Sequence, residues 1–253
     1  MIQRFGIWLG VGVGLLFFVA AGAWAFREFK ATQILTRRAS GGNDTWDAYY
    51  AVLRYSEDHS GLLPPLDPEP GRLMFERHVM FSEYMMTGRH VSIEYDPDVP
   101  VGWKDYDRDP RHRKNPDLID DYSIWYLGYR VTNEAEGRAF VAGYIQAMLA
   151  KVDFGDSLPV PEPWREGLPE SLPRLYAKEG TAFAEPSPAV NPEAAMTVVF
   201  IEHPGHYLPY TGGWVVYLDG HREFIPYPGR FPMTEEFIGG LRAIDDLGRI
   251  FAR

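Results

Sequence analysis

The sequence contains no cysteine, and this absence removes several classes of site at once. A chain without thiols forms no disulfides, binds no metal through thiolates and has no cysteine nucleophile. Positive charge is also scarce, since 25 lysines and arginines stand against 35 aspartates and glutamates, for a formal net charge of −10. Because binding to a phosphate backbone needs a basic surface, we expect no nucleic-acid partner.

The common catalytic signatures are missing as well, since no HExxH, P-loop or GxSxG pattern occurs. Gly155–Leu158 spells the block that names GDSL-type esterases, with Ser157 as the nucleophile. Such a site needs a strand before the serine and an Asp-x-x-His after it to supply the base. The one Asp-x-x-His, Asp109 to His112, precedes the serine. We therefore predict no catalytic residue, no enzymatic activity and no cofactor.

One acidic segment has the beginning of a calcium-binding loop. Asp105, Asp107 and Asp109 follow the D-x-D-x-D spacing. However, Pro110 stands where the turn glycine belongs, and Pro116 stands where the bidentate glutamate belongs. The favoured interpretation is a solvated charged loop.

A second group of residues could suit zinc, which three nitrogen or oxygen ligands can hold. The candidates are His203, His206, Asp219 and His221, which a hairpin could bring together. Histidines in loops are more often structural than ligating, so we predict no metal site and keep these four as the alternative.

Against these absences stands one long hydrophobic run, the 22 uncharged residues from Phe5 to Phe26. As a helix this run would be about 33 Å long, enough to cross a hydrocarbon core of about 30 Å. We predict a transmembrane helix. The alternative is a cleaved secretory signal, with a cleavage site at Ala21–Ala23 or Ala23–Ala25. Basic residues between positions 27 and 38 favour a cytoplasmic C-terminal part, but long domains translocate largely regardless of charge, so orientation stays open.

The predicted transmembrane helix has a ridge of small residues. Gly6, Gly10 and Gly14 recur every four residues and so share one helix face. Such a face lets a second transmembrane helix approach closely. We predict that these three glycines form a helix-packing site.

The rest of the chain has the composition of a globular domain, since 45% of all residues are apolar and 15% are aromatic. We predict an anchor and helical stem over residues 1–40 and a globular domain over residues 41–253. A proline-rich connection over about residues 155–192 is expected to have no regular structure. Its prolines are Pro159, Pro161, Pro163, Pro169, Pro173, Pro186, Pro188 and Pro192.

Helices are predicted where apolar residues recur with helical spacing beside capping residues. The first begins at Asp44 or Thr45 and ends at Ser60-Gly61, with Trp46, Tyr49, Tyr50 and Leu53 on its buried face. A short one lies within Leu73–Met86. The next is capped by Asn133 and Glu136, and the last by Thr234. Their apolar faces are Phe140, Val141, Tyr144, Ile145, Met148, Leu149 and Val152 in the former, and Phe237, Leu241, Ile244 and Ile250 in the latter.

Strands are predicted where β-branched and aromatic residues concentrate. They cover Val91–Tyr95, Tyr122–Val131, Thr197–Glu202, Trp214–Leu218 and His221–Ile225. Asp219-Gly220 is the preferred dipeptide for a two-residue type I′ hairpin turn. The predicted fold class is α+β: an N-terminal transmembrane helix extended into a head with a C-terminal antiparallel sheet.

This order of parts resembles the bacterial pseudopilin-like proteins. The resemblance lies in the anchor, in the segment Tyr55–Pro65, and in the late hairpin Trp214–His221 with its Asp-Gly turn. It is similar to prepilin-type proteins with an H-X9-DG C-terminal region, related to the major pseudopilin of type II secretion. Three features depart from the pattern. Val11 replaces the glutamate expected if cleavage followed Gly6, and Pro209 stands at the histidine position. Gly41-Gly42 interrupts what should be one long helix.

The resemblance implies a pilin-like head on a single-pass anchor in the inner membrane, with the head in the periplasm. It also implies a structural role in a type II secretion or type IV pilus-like system. Its partners would be membrane lipid and other pilin-like or secretion-system subunits, contacted through the N-terminal helix. Two alternatives stay open: an extracytoplasmic hydrolase, and a module that binds a polysaccharide or an envelope protein through Trp103, Trp125, Trp164 and Trp214.

Overall fold

The computed structural model describes residue 24 and residues 45–81, 83–85, 124–152, 155–177, 191–204 and 211–251. The chain divides into two compact units, Met1–Ser40 and Gly41–Arg253. Among the described residues no helix is long and apolar enough to cross a bilayer. The predicted anchor, its three glycines, the strand at Val91–Tyr95 and the charged loop that follows lie outside the described residues, apart from Trp24.

The second unit is an α+β domain built around a four-stranded sheet. Its described helices are α1 (residues 45–58), α2 (Arg77–Met80), α3 (Glu134–Ala150) and α4 (Glu235–Phe251). The sheet contains β1 (Ile124–Tyr126), β4 (Val198–Glu202), β5 (Gly212–Tyr217) and β6 (Arg222–Pro226). These strands pair in the order β1-β4-β5-β6, and every pair is antiparallel. The α+β class is confirmed.

Both faces of the sheet are covered. Because side chains alternate along a strand, Tyr126 and Phe200 lie on one face and Trp125 on the other. Phe75 packs edge-on against both rings of the first face. On the second face the Trp125 indole donates a hydrogen bond of 3.0 Å to Asp245 of α4. The sheet is therefore the middle layer of the core.

Helix α1 covers part of the first face and ends where its sequence predicts. Ser60 and Gly61 both adopt positive φ, of 56° and 89°, which stops the helix. Tyr49 and Leu53 are buried, whereas Trp46 and Tyr50 are half-buried. The predicted aromatic stripe is thus the inward face of this helix within its own unit.

Helix α3 begins with the predicted cap, in a modified form. Asn133 Oδ1 accepts hydrogen bonds from the backbone N–H groups of Ala135 and Glu136. The Glu136 carboxylate accepts from the backbone and hydroxyl of Thr132, one residue before the cap residue. The apolar face is confirmed for Phe140, Tyr144 and Met148, while Val141 and Ile145 are partly buried and Leu149 and Val152 are exposed.

Several predicted elements are shorter than the sequence suggested. Within the described part of Leu73–Met86, only Arg77–Met80 is helical. The residues before it are extended instead, since Leu73 O accepts a hydrogen bond from Tyr126 N and Phe75 forms a β-bridge with Leu66. Within the described part of the strand predicted over Tyr122–Val131, residues 124–131, a strand forms at Ile124–Tyr126 and an isolated bridge at Tyr129. The strand ends because Gly128 turns the chain at φ 68°.

The proline-rich connection contains a hairpin that we did not predict. Strands β2 (Ser157–Pro159) and β3 (Ser171–Pro173) pair antiparallel, with a 3-10 turn at Glu162–Trp164 between them. The hairpin packs on α3, where a Cβ on Gly143 would lie 2.4 Å from Pro159 O. Gly143 is therefore the contact that lets β2 approach the helix.

Helix α4 starts as predicted, since Thr234 Oγ1 accepts from the backbone N–H of Phe237 at 3.2 Å. Phe237, Leu241 and Ile244 are buried as expected, but Ile250 is 67% exposed. The prediction for Ile250 was wrong because the last turn of α4 extends past the layer that α4 covers.

Buried tyrosines give the domain a defined weakness at high pH. Burial is the main cause that raises the pKa of both Tyr129 and Tyr217 to about 12. In an unfolded chain these phenols lose their protons near pH 10, because the ordinary pKa of a tyrosine side chain is about 10. The folded state therefore keeps protons that the unfolded state releases, and stability falls as pH rises from about 10 to about 12.

We expect the urea midpoint to decrease over that pH interval, and to decrease less in Tyr129→Phe, which has no phenol proton to lose. The measurement is a series of urea titrations at increasing pH, followed by tryptophan fluorescence. A midpoint that stays constant between pH values of about 10 and 12 in the parent protein would contradict the assignment.

Candidate functional site

Asp219 and Gly220 lie in the turn that joins β5 to β6, but the turn is not the expected type. A type I′ turn needs positive φ at both central residues. Only Gly220 has it, at φ 87°, and the backbone bonds are Gly220 N to Tyr217 O and Tyr217 N to His221 O. The loop therefore has three residues, Leu218–Gly220, with glycine in the left-handed position.

The turn brings Asp219 and His221 together. Asp219 Oδ1 lies 2.5 Å from His221 Nδ1 and accepts the His221 backbone N–H at 3.1 Å. The His221 ring stacks on Tyr217, with centroids 4.2 Å apart. The carboxylate is 7% exposed, and its Oδ2 has no hydrogen-bond partner within the described ranges. These contacts hold the histidine against the sheet.

Tyr49 of α1 packs against this turn, beside Gly220. Its hydroxyl donates a hydrogen bond of 2.9 Å to Leu218 O. Burial first, and the negative charge of Asp219 second, raise the pKa of Tyr49. The hydroxyl thus stays protonated and keeps donating, which ties α1 to the hairpin.

His203, another of the proposed metal ligands, does not join this pair. It follows β4, and its ring is tilted against Trp125 with centroids 3.7 Å apart. Its neighbour Glu202 lies beside Gly213, whereas His221 bonds to Tyr217, so the two histidines are at opposite ends of β5. His206 lies outside the described residues, and within them no group of three potential ligands could hold a metal ion.

Ser157 occupies a different setting from an esterase nucleophile. It is the first residue of β2, it is exposed, and its strand partner is Pro173. The element before it is α3 rather than a strand, as its sequence indicated. Asp109 and His112 lie outside the described residues.

The four tryptophans proposed for stacking have different environments. Trp125 is fully buried, and Trp103 lies outside the described residues. Trp164 is 42% exposed. Trp214 is half-buried against Phe224, with the Arg222 guanidinium 5.5 Å from its ring centroid. The described tryptophans thus form no common platform, since Trp125 belongs to the core.

A cleft of about 170 Å³ lies elsewhere, between the residues before α3, the end of β3 and the residues before β4. One wall is Arg130, whose Nε donates to Glu193 at 2.7 Å and whose Nη1 donates to the buried carboxylate of Glu136. The two hydrogen bonds fix the guanidinium plane, so its remaining N–H groups have a set direction. Arg130 is one-third exposed.

Arg174 also lines this cleft. Its Nη1 donates to Asp156 at 3.0 Å, and its Nη2 donates to Leu63 O. Nε is buried and has no hydrogen-bond partner in the part of the chain that the structure describes. Tyr176, which is 53% exposed, is a further lining residue.

We did not predict this cleft from the sequence. The sequence shows the capping signal at Asn133 and Glu136, but that signal does not indicate that the second carboxylate oxygen of Glu136 bonds to Arg130. Glu193 is 63 positions from Arg130 and follows no local pattern with it. The one available signal was the charged residue beside each turn former, at Arg130 before Asn133 and at Glu193 after Asn191.

Comparison of the chain with models of protein families, with curated proteins and with solved structures finds no match.

Proposed function

We propose that this protein is a membrane-anchored, pseudopilin-like component of a type II secretion or type IV pilus-like system, and that it works by assembly rather than by catalysis. Its anchor would be residues 5–26 in the inner membrane, with the head on the periplasmic side. Its partners would be lipid and similar subunits that pack against the anchor.

The observation that carries the proposal is the placement of α1. This helix follows the uncharged run in the chain, and it lies on one face of an antiparallel sheet. Its Tyr49 bonds directly to the turn that contains Asp219-Gly220. A helix that lies on an antiparallel sheet and is secured by the Asp-Gly hairpin is part of the arrangement that the sequence resemblance implies.

A non-catalytic role is supported by the candidate reactive groups. Ser157 lies on a two-stranded hairpin, and His203 is separated from Asp219 and His221. Val11, where a filament subunit would carry glutamate, directs the proposal toward helix-helix contacts made through the glycine face.

Replacement of Gly10 by leucine should therefore weaken self-association. A leucine side chain on the Gly6/Gly10/Gly14 face would hold a second helix away, since close approach there requires small residues. The measurement is the dimer signal of a membrane two-hybrid assay with the full chain. Gly12→Leu is the matched control, because residue 12 would lie on the opposite face of the proposed helix, and this variant should leave the signal unchanged.

An unchanged signal in Gly10→Leu would refute the packing face. The anchor itself has a separate check in the intact mass of the mature chain. A chain beginning after Ala23 or Ala25 would be a secreted protein, and that result would refute the membrane-anchored proposal.

A further inference from the structure

We draw no further inference here: the strongest candidate, the group of exposed apolar side chains at the C-terminal ends of α3 and α4 (Leu149, Val152, Ile250 and Phe251), carries nothing because the described residues do not show what covers them.

Discussion

Replacement of Glu136 by alanine is expected to lower the free energy of unfolding by about 3 kcal/mol. The Glu136 side chain is 5% exposed and accepts three hydrogen bonds, from the backbone and hydroxyl of Thr132 and from Arg130. Alanine would leave the Thr132 N–H without its acceptor and Arg130 without its buried partner. The loss exceeds that of an ordinary helix cap because one buried carboxylate accepts all three of these hydrogen bonds.

The measurement is urea unfolding followed by tryptophan fluorescence, with the buried Trp125 as a reporter. Glu236→Ala is the matched control, because Glu236 pairs with Arg138 at 3.3 Å on the surface and is 58% exposed. Surface pairs contribute little, so the control should change stability by less than about 1 kcal/mol. Equal losses of unfolding free energy in the two variants would show that the hydrogen bonds of Glu136 do not stabilise the domain.

The second large effect is expected at a contact between two glycines. Gly248 of α4 faces Gly71, and a Cβ on Gly248 would lie 2.4 Å from Gly71 Cα and 2.5 Å from Pro70 O. Gly71 itself adopts φ 84°, so the opposing backbone has little freedom to withdraw. Gly248→Ala should therefore cost about 1–3 kcal/mol of unfolding free energy, although alanine normally favours a helix.

The same helix provides the control. Gly239 also lies in α4, but a Cβ there would meet no atom within 4 Å. Gly239→Ala should stabilise the domain by roughly 0.5–1 kcal/mol, since only the helix propensity changes. Urea titration of both variants measures effects of opposite sign. If Gly248→Ala proves as stabilising as Gly239→Ala, the close contact between α4 and Gly71 does not exist.

The elements that the sequence predicted well are those with local signals. Asn133 and Thr234 cap α3 and α4 through hydrogen bonds that span three residues or fewer. The stop at Ser60-Gly61 is also local, since it depends on two adjacent positive φ angles. Because the residues that interact are close in sequence, a local sequence pattern predicts these elements.

The elements that the sequence predicted poorly depend on distant partners. Strands β2 and β3 each end in a proline, at Pro159 and Pro173, and prolines argue against a strand in a single sequence. Short strands can end on proline where a helix covers them, and here α3 supplies that cover through Gly143. The cleft likewise needs Arg130 and Glu193 together, which the folded chain alone arranges.

The helices α1 and α4, which cover the two faces of the sheet, come from opposite ends of the sequence of the second unit. This order has a consequence for biosynthesis. Helix α1 lies on one face, whereas α4, whose Asp245 bonds to Trp125, lies on the other. Until translation has passed residue 251, the second face lacks the helix that carries Asp245. A nascent chain can therefore complete the core on this face only after α4 has been synthesised.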